Sequence, residues 1–314
     1  MPVAPPAGGV PGRSLPASLL VSLRPEQWTK NVFVFAALLF SGADVTAGMP
    51  LPSLVAVLRT LAAFVVFCGL SGVVYLVNDV ADCEADRCHP LKARRPVACG
   101  DLPAGIALVA AGVISVAALA AAFWLGVPFG IVAAGYLALL TAYSQRLKHV
   151  VILDVMTLAI GFVLRTVAGA VVIDVPISHW LLVCMILLAL FLALSKRRHE
   201  LVLLADGAVE HRRILGEYSP YLLDQMISVV TASTLIAYIF YTISPETQLK
   251  FHTQWLGLTI PFPMYGIFRY LYLVHRKDGG GSPTAMLVND RPLLVCVALW
   301  VAVVAVIIYK PFGM

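Results

Sequence analysis

The sequence predicts an all-α membrane protein, a bundle of about nine transmembrane helices with one polar mouth facing the cytosol. Three observations carry that expectation. Hydrophobic residues make up 60% of the chain and mean hydropathy is +0.90, whereas a soluble domain is about half apolar. Apolar runs long enough to reach across a bilayer, some with polar extensions, recur along the chain. Lysine and arginine fall in every second connection, the signature of loops retained on the cytoplasmic side.

Taken in order, residues 1–20 are expected to form a disordered tail, and residues 21–314 a single transmembrane domain. The first sixteen residues are rich in Pro, Gly and Ala and lack the apolar core of a cleavable signal peptide. Residues 24–31, Arg24-Pro25-Glu26-Gln27-Trp28-Thr29-Lys30-Asn31, place a tryptophan among charges, as in a short interfacial segment. Spans are predicted at 32–43, 54–77, 102–125, 129–143, 150–173, 180–194, 222–243, 255–274 and 293–309. Arg24, Lys30, Arg87, Lys92, Arg94, Arg95, Arg146, Lys148, Lys196, Arg197, Arg198, Arg212, Arg213, Arg276, Lys277 and Arg291 share one side; Lys250 and Lys310 lie on the other. This puts the N-terminus inside and the C-terminus outside the inner membrane.

Six cysteines fall in spans or cytosolic loops, where thiols stay reduced. Cys83, Cys88 and His89 do not have zinc or haem spacing. Gly279-Gly280-Gly281-Ser282-Pro283 precedes no P-loop lysine and reads as a loop. No nucleic-acid partner is expected.

The densest polar signal is Asn78-Asp79-Val80-Ala81-Asp82-Cys83-Glu84-Ala85-Asp86, directly after the second apolar run, in a chain only 12% charged. At about 100° per residue, Asp79, Asp82 and Asp86 share a helix face, with Tyr75 and Asn78 on or beside it. Like charges crowded beside a low-dielectric phase require a counter-cation. Magnesium held by one or two carboxyl or amide oxygens, and completed by phosphate and water, meets that need. A solvated helix cap is the plain alternative.

Two charges interrupt the fifth span. Asp154 and Arg165 are eleven residues apart, which places them on one face at about 16 Å separation, with Gly161 between. Structural ion pairing with other helices is one reading and a polar site the other. Tyr143, Gln145, Arg146, Lys148 and His149 form a second polar mouth before that span, and Ser195-Lys196-Arg197-Arg198-His199-Glu200 read as a basic loop after the sixth.

The pattern Asn78-Asp79-x-x-Asp82-x-x-x-Asp86 at the end of the second span resembles the UbiA superfamily of intramembrane transferases. Arg24-Pro25-x-Gln27-Trp28-x-Lys30-Asn31, Asp86-Arg87-x-His89-Pro90-x-Lys92, Leu147-Lys148-His149 and Leu164-Arg165-x-x-Ala168-Gly169 look like its decaprenyl-phosphate phosphoribosyltransferase branch. Prenyltransferase branches carry a second aspartate-rich motif after the sixth span, where this chain has Lys196-Arg197-Arg198.

The resemblance implies a Mg²⁺-dependent pentosyltransferase that moves 5-phosphoribose from 5-phosphoribosyl 1-diphosphate to decaprenyl or another polyprenyl phosphate, for cell-wall arabinose precursors. On it, Asn78 and Asp82 are expected to hold Mg²⁺, Asp86 to be a further or water-mediated ligand, and Asp79 to support them. Lys30, Tyr75, Lys92, Gln145, Lys148, His149 and Arg165 are expected to bind the donor. Arg94, Arg95 and Lys196 are expected near the lipid phosphate. Asp82, Asp86 and Asp154 form the catalytic set, with Asp154 holding a lysine or a ribose hydroxyl. The family likeness also admits a homotrimer. A prenyltransferase acting on an aromatic acceptor is the alternative enzyme, and a transporter lined by Asp154 and Arg165 the alternative class.

Overall fold

The computed structural model describes residues 13–39, 53–88, 92–203, 216–276, 286–287 and 289–309. Residues 1–12 of the expected tail, His89, Pro90, Arg212, Arg213, Lys277, the glycine-rich segment 279–283 and Lys310 lie outside them. No strand occurs among the described residues. Helices α1 (Leu15–Ser22), α2 (Ala36–Leu39), α3 (Leu54–Ala81), α4 (Cys83–Arg87), α5 (Pro96–Cys99), α6 (Ala104–Leu125), α7 (Val127–Gln145), α8 (Leu153–Val172) and α9 (His179–Leu203) make the first part of the bundle. Helices α10 (Pro220–Ile243), α11 (Pro245–Phe251), α12 (Pro261–Arg276) and α13 (Arg291–Tyr309) complete it.

Among the described residues seven helices, α3, α6, α7, α8, α9, α10 and α13, are long and apolar enough to cross a bilayer. The two other expected spans take different local forms. The first begins as a 3-10 helix, Pro25–Phe35, running into α2. The eighth is a 3-10 turn at Trp255–Thr259 followed by α12.

Local sequence sets the element ends. Ser53, Ser219 and Ser244 cap α3, α10 and α11, each hydroxyl accepting a backbone N–H from three residues on, and prolines occupy the first turns of α7, α10 and α11. Gly126 alone links α6 to α7, at a φ of +155° that a side chain disfavours.

Helices α3 and α8 form the centre: 61% and 56% of their apolar stretches are buried, against 22% for α6 and α7. Phe67, Leu70, Phe129, Tyr136, Ala168 and Val172 interlock them with α7 and the 25–35 segment. That segment lies backbone against backbone on α8, because a Cβ at Gly169 would collide with the Val34 carbonyl. At the end away from the acidic run, Arg59 donates to the Val172 carbonyl at 3.5 Å and Lys250 to that of Pro176 at 3.2 Å.

Three expectations are corrected. Order begins before residue 21, since Ser14 and Pro16 start α1, and Leu19 and Leu23 pack on the α3–α6 core. The acidic run is not one helix: α3 stops at Ala81, and Asp82 forms the joint to α4. The basic stretch 195–200 is not a loop but the last turns of α9, a helix that continues to Leu203 because its charges find partners inside the bundle.

Candidate active site

The site lies at the end of the bundle where α3 gives way to α4. Asn78 and Asp82 are one turn apart, the Asp82 N–H reaching the Asn78 carbonyl at 2.9 Å. Arg24, in the left-handed region at φ 52°, redirects the chain after α1. Its guanidinium stacks over the Tyr75 ring, 4.6 Å from the centroid, and donates to Asp79 at 2.5 Å. Arg95, ahead of α5, lies 3.3 Å from Asp79 and 2.5 Å from Asp86. Both aspartates are buried, at 2% and 3% exposure. The counter-cation demanded by the crowded acids is therefore, for these two, an arginine pair.

Asp82 differs. Its side chain is 46% exposed, and its partner is Lys148, whose ammonium is 3.8 Å away. Lys92 stands 4.0 Å from Asp86 at the same mouth. Among the described residues no group of three or more His, Cys, Asp or Glu side chains could enclose a metal ion. Asn78 and Asp82 nevertheless present one amide and one carboxylate as hard oxygen donors in neighbouring turns. That donor set fits a magnesium ion that arrives with phosphate and water ligands of its own, the usual habit of this cation.

A second group of cations lies deeper. Arg165, 6% exposed, donates from Nε to Asn31 Oδ1 at 2.7 Å, from Nη1 to the Gly161 carbonyl at 2.9 Å and from Nη2 to the Tyr136 hydroxyl at 2.5 Å. Lys30 precedes Asn31 on the 3-10 segment. Burial, followed by repulsion from Lys196, Arg165 and Arg24, pushes the Lys30 ammonium down to about 8. Neither Lys30 nor Arg165 has a carboxylate within 4.0 Å among the described residues.

Asp154 is fully buried, and its protein partners are an arginine and a tyrosine rather than the expected lysine. Arg197 Nε donates to Oδ2 at 2.7 Å and the Tyr218 hydroxyl to Oδ1 at 2.8 Å. Arg197 also pairs with Glu200 and donates to the Tyr143 hydroxyl at 3.3 Å. Tyr218 in turn accepts the N–H of Ile152, a β-branched residue held at φ 68°. Burial, then the Asp154 carboxylate, pushes the Tyr218 phenol up to about 12. This network ties α7, α8, α9 and the start of α10 together at the mouth. Arg198 is similarly engaged, by Asp224.

Of the expected residues, Tyr75, Asn78, Asp82, Asp86, Lys92 and Lys148 thus lie around the α3–α4 joint, whereas Lys30 and Arg165 belong to the deeper group. Gln145, His149 and Arg94 are exposed, and Arg95 is spent on Asp79 and Asp86. Asn31, Ser71 and Tyr136, which hold Arg165, were missed as site residues. For Ser71 and Tyr136 the available signal was polarity inside an apolar run, whereas Asn31 only closes the polar 24–31 segment.

The profile of the UbiA prenyltransferase family matches residues 32–289. The chain belongs to that family. It is 34% identical to the decaprenyl-phosphate phosphoribosyltransferase of Mycolicibacterium smegmatis, over 98% of this chain and 96% of the relative. It is 32% identical to the protein of the same name from Corynebacterium glutamicum, over 95% and 89%. In fold it is similar to a UbiA homologue of Archaeoglobus fulgidus solved with GPP and Mg²⁺, with a TM-score of 0.70 at 18% identity, over 93% of this chain and 99% of that one. The chain is therefore a multi-pass membrane transferase of the UbiA family.

Proposed function

We propose that this transferase moves 5-phosphoribose from 5-phosphoribosyl 1-diphosphate to a polyprenyl phosphate. The observation that carries the reading is the pairing of one exposed carboxylate, Asp82, with an inner cluster of cations, Lys30 and Arg165, that has no carboxylate of its own. A donor with phosphates at both ends of its sugar matches two separated anion sites. Names of relatives about one-third identical over nearly the whole chain support the same substrates. The Lys/Arg distribution supports a mouth that faces the cytosol in the cytoplasmic membrane, where a soluble anionic donor arrives.

Asn78 and Asp82 would hold Mg²⁺, with Asp86 behind them. When bound, the ion offsets negative charge on the diphosphate. Lys148 and Lys92 face the same group from the side. Lys30 and Arg165, with Lys196 close by, bind the other phosphate charges. An oxygen of the acceptor phosphate attacks C1 of the ribose as the C1–oxygen bond to diphosphate breaks, giving polyprenylphosphoryl-5-phosphoribose and diphosphate. A phosphate monoester is already nucleophilic at neutral pH, so the residues serve to position and to stabilise charge, and no strong base is required. The Asp154–Arg197–Tyr218 network fixes the ends of α8 and α9 from which Lys196 extends.

Purified protein supplied with labelled phosphoribosyl diphosphate, polyprenyl phosphate and Mg²⁺ is expected to form a labelled lipid. Turnover only with a prenyl diphosphate and an aromatic acceptor would overturn the reading.

A further inference from the structure

We propose that Asn31, Ser71 and Tyr136 form a neutral hydrogen-bonded ring that positions Arg165 and leaves its charge unspent for a donor phosphate; the inference rests on the phosphoribosyl-transfer reading.

The contrast between two buried arginines motivates it. Arg197, 2% exposed, is matched by the carboxylates of Asp154 and Glu200. Arg165 is nearly as deep at 6%, yet its hydrogen bonds go to an amide oxygen, a peptide carbonyl and a phenol, and its guanidinium lies over the Tyr136 and Phe162 rings at 4.8 and 5.1 Å, with no carboxylate among these partners. An uncompensated guanidinium in an apolar bundle is costly to fold. A carboxylate at either side-chain position, 31 or 136, would offset that cost, so the neutral residues there point to a use for the charge.

The hydrogens of the ring can be placed in only one direction. The Tyr136 oxygen accepts from Arg165 Nη2, and its own hydrogen goes to the Ser71 oxygen, 3.0 Å away. Ser71 then donates to Asn31 Oδ1 at 3.3 Å, the same atom that accepts from Arg165 Nε. Asn31 Nδ2 points away, to the Cys68 sulfur at 3.3 Å, which fixes the amide orientation. Every member is buried, with Asn31 and Tyr136 at 0% and Ser71 at 5% exposure. Buried hydrogen-bonded rings of this kind rigidify the groups they hold.

A guanidinium has five N–H groups. Three are used here, which leaves one on each terminal nitrogen, the fork that suits a phosphate. Lys30, adjacent to Asn31 in sequence and repelled by Arg165, adds the second charge. Asn31, Ser71 and Tyr136 do not themselves contact the substrate in this scheme. They are positioning residues acting through Arg165.

The test is Asn31→Asp in the purified full-length protein, with donor binding titrated and thermal unfolding followed in parallel. The substitution keeps the acceptor oxygen and the shape but places a carboxylate on Arg165. The expected result is a melting temperature at or above that of the wild type together with a loss of phosphoribosyl diphosphate affinity of about tenfold or more. A purely structural role moves the two the other way, lowering the melting temperature while the folded fraction binds donor as before, and that outcome would overturn the proposal. Tyr136→Phe is the second arm. It keeps the aromatic packing on Phe67 and is expected to raise the KM for donor about three- to tenfold, with the KM for polyprenyl phosphate unmoved; an unchanged donor KM counts against the ring. If the wild type binds geranyl diphosphate and not phosphoribosyl diphosphate, the donor reading falls, while the ring is judged by the same variant-to-wild-type ratios on geranyl diphosphate.

Discussion

Lys148 stands 3.8 Å from Asp82, too far for a hydrogen bond, whereas Arg95 closes on Asp86 at 2.5 Å. That difference sorts the aspartates of one short run into two kinds. Asp79 and Asp86 are locked to arginines and buried, and Asp82 is left facing solvent with a loosely held lysine.

Asp82→Asn is accordingly expected to remove the metal-dependent step without unfolding the protein. Loss of metal charge stabilisation worth several kcal/mol corresponds to a fall in kcat/KM of about 100-fold or more. Turnover measured against Mg²⁺ concentration, with circular dichroism as the folding control, checks it. Wild-type turnover in this variant would remove the role given to Asn78 and Asp82.

The Asp154–Arg197 pair is expected to behave as a structural element. Asp154→Leu alone leaves Arg197 buried with only Glu200 to balance it, at a cost of about 3–5 kcal/mol by the usual penalty for a broken buried pair. The double variant Asp154→Leu with Arg197→Met removes both charges and is expected to recover most of that loss. Melting curves of the single and double variants in detergent measure the coupling. A double variant no more stable than the single one would show that the pair is not the stabilising unit.

The bundle was legible because span length and loop charge are properties of composition: seven of the apolar runs stand as long helices among the described residues, and Lys250, with Arg59, lies at the end away from the acidic run. The candidate site was legible as a set of residue types but not as pairs. Helical spacing alone put Asp79, Asp82 and Asp86 on one face, yet the joint at Asp82 turns it away from the other two. Arg24 and Arg95 lie 55 and 16 positions in sequence from Asp79, in segments whose approach to α3 depends on tertiary packing. The fate of Arg197 was hidden for the same reason: a basic run after a span reads as a loop unless its acidic partners, Asp154 and Glu200, are known to lie beside it. Arg59 escaped notice inside an apolar run, although its guanidinium ends on the last turn of α8.

Gly169→Ala tests the backbone contact that brings Lys30 and Asn31 to Arg165. An added Cβ would strike the Val34 carbonyl, a backbone group that cannot swing aside. The substitution is expected to cost about 1–3 kcal/mol, the range for overpacking, and to weaken donor binding as the 25–35 segment shifts. Gly161→Ala is the control on the same helix, because its Cβ would meet Leu140 and Arg165 at 3.6 and 3.7 Å, ordinary contact distances. Equal effects of the two alanines on melting temperature and donor affinity would argue against the close approach as the cause.

Lys30 gives the pH dependence a definite sign. Its ammonium is held at about 8 by burial and by neighbouring cations, against 10.5 in the unfolded chain. Between those values the unfolded state carries more protons than the folded one, so the ligand-free protein is expected to gain stability as pH rises from about 8 to 10.5. Donor binding works in the opposite direction. A phosphate beside Lys30 favours the charged amine and draws a proton onto it, so affinity is expected to fall as pH rises through about 8, by up to about tenfold per unit for one linked proton. Calorimetric titration of phosphoribosyl diphosphate in buffers of different ionisation enthalpy reads that proton uptake directly. Lys30→Met is expected to bind donor weakly at every pH and to flatten the profile; a profile of unchanged slope in that variant would assign the proton to another group.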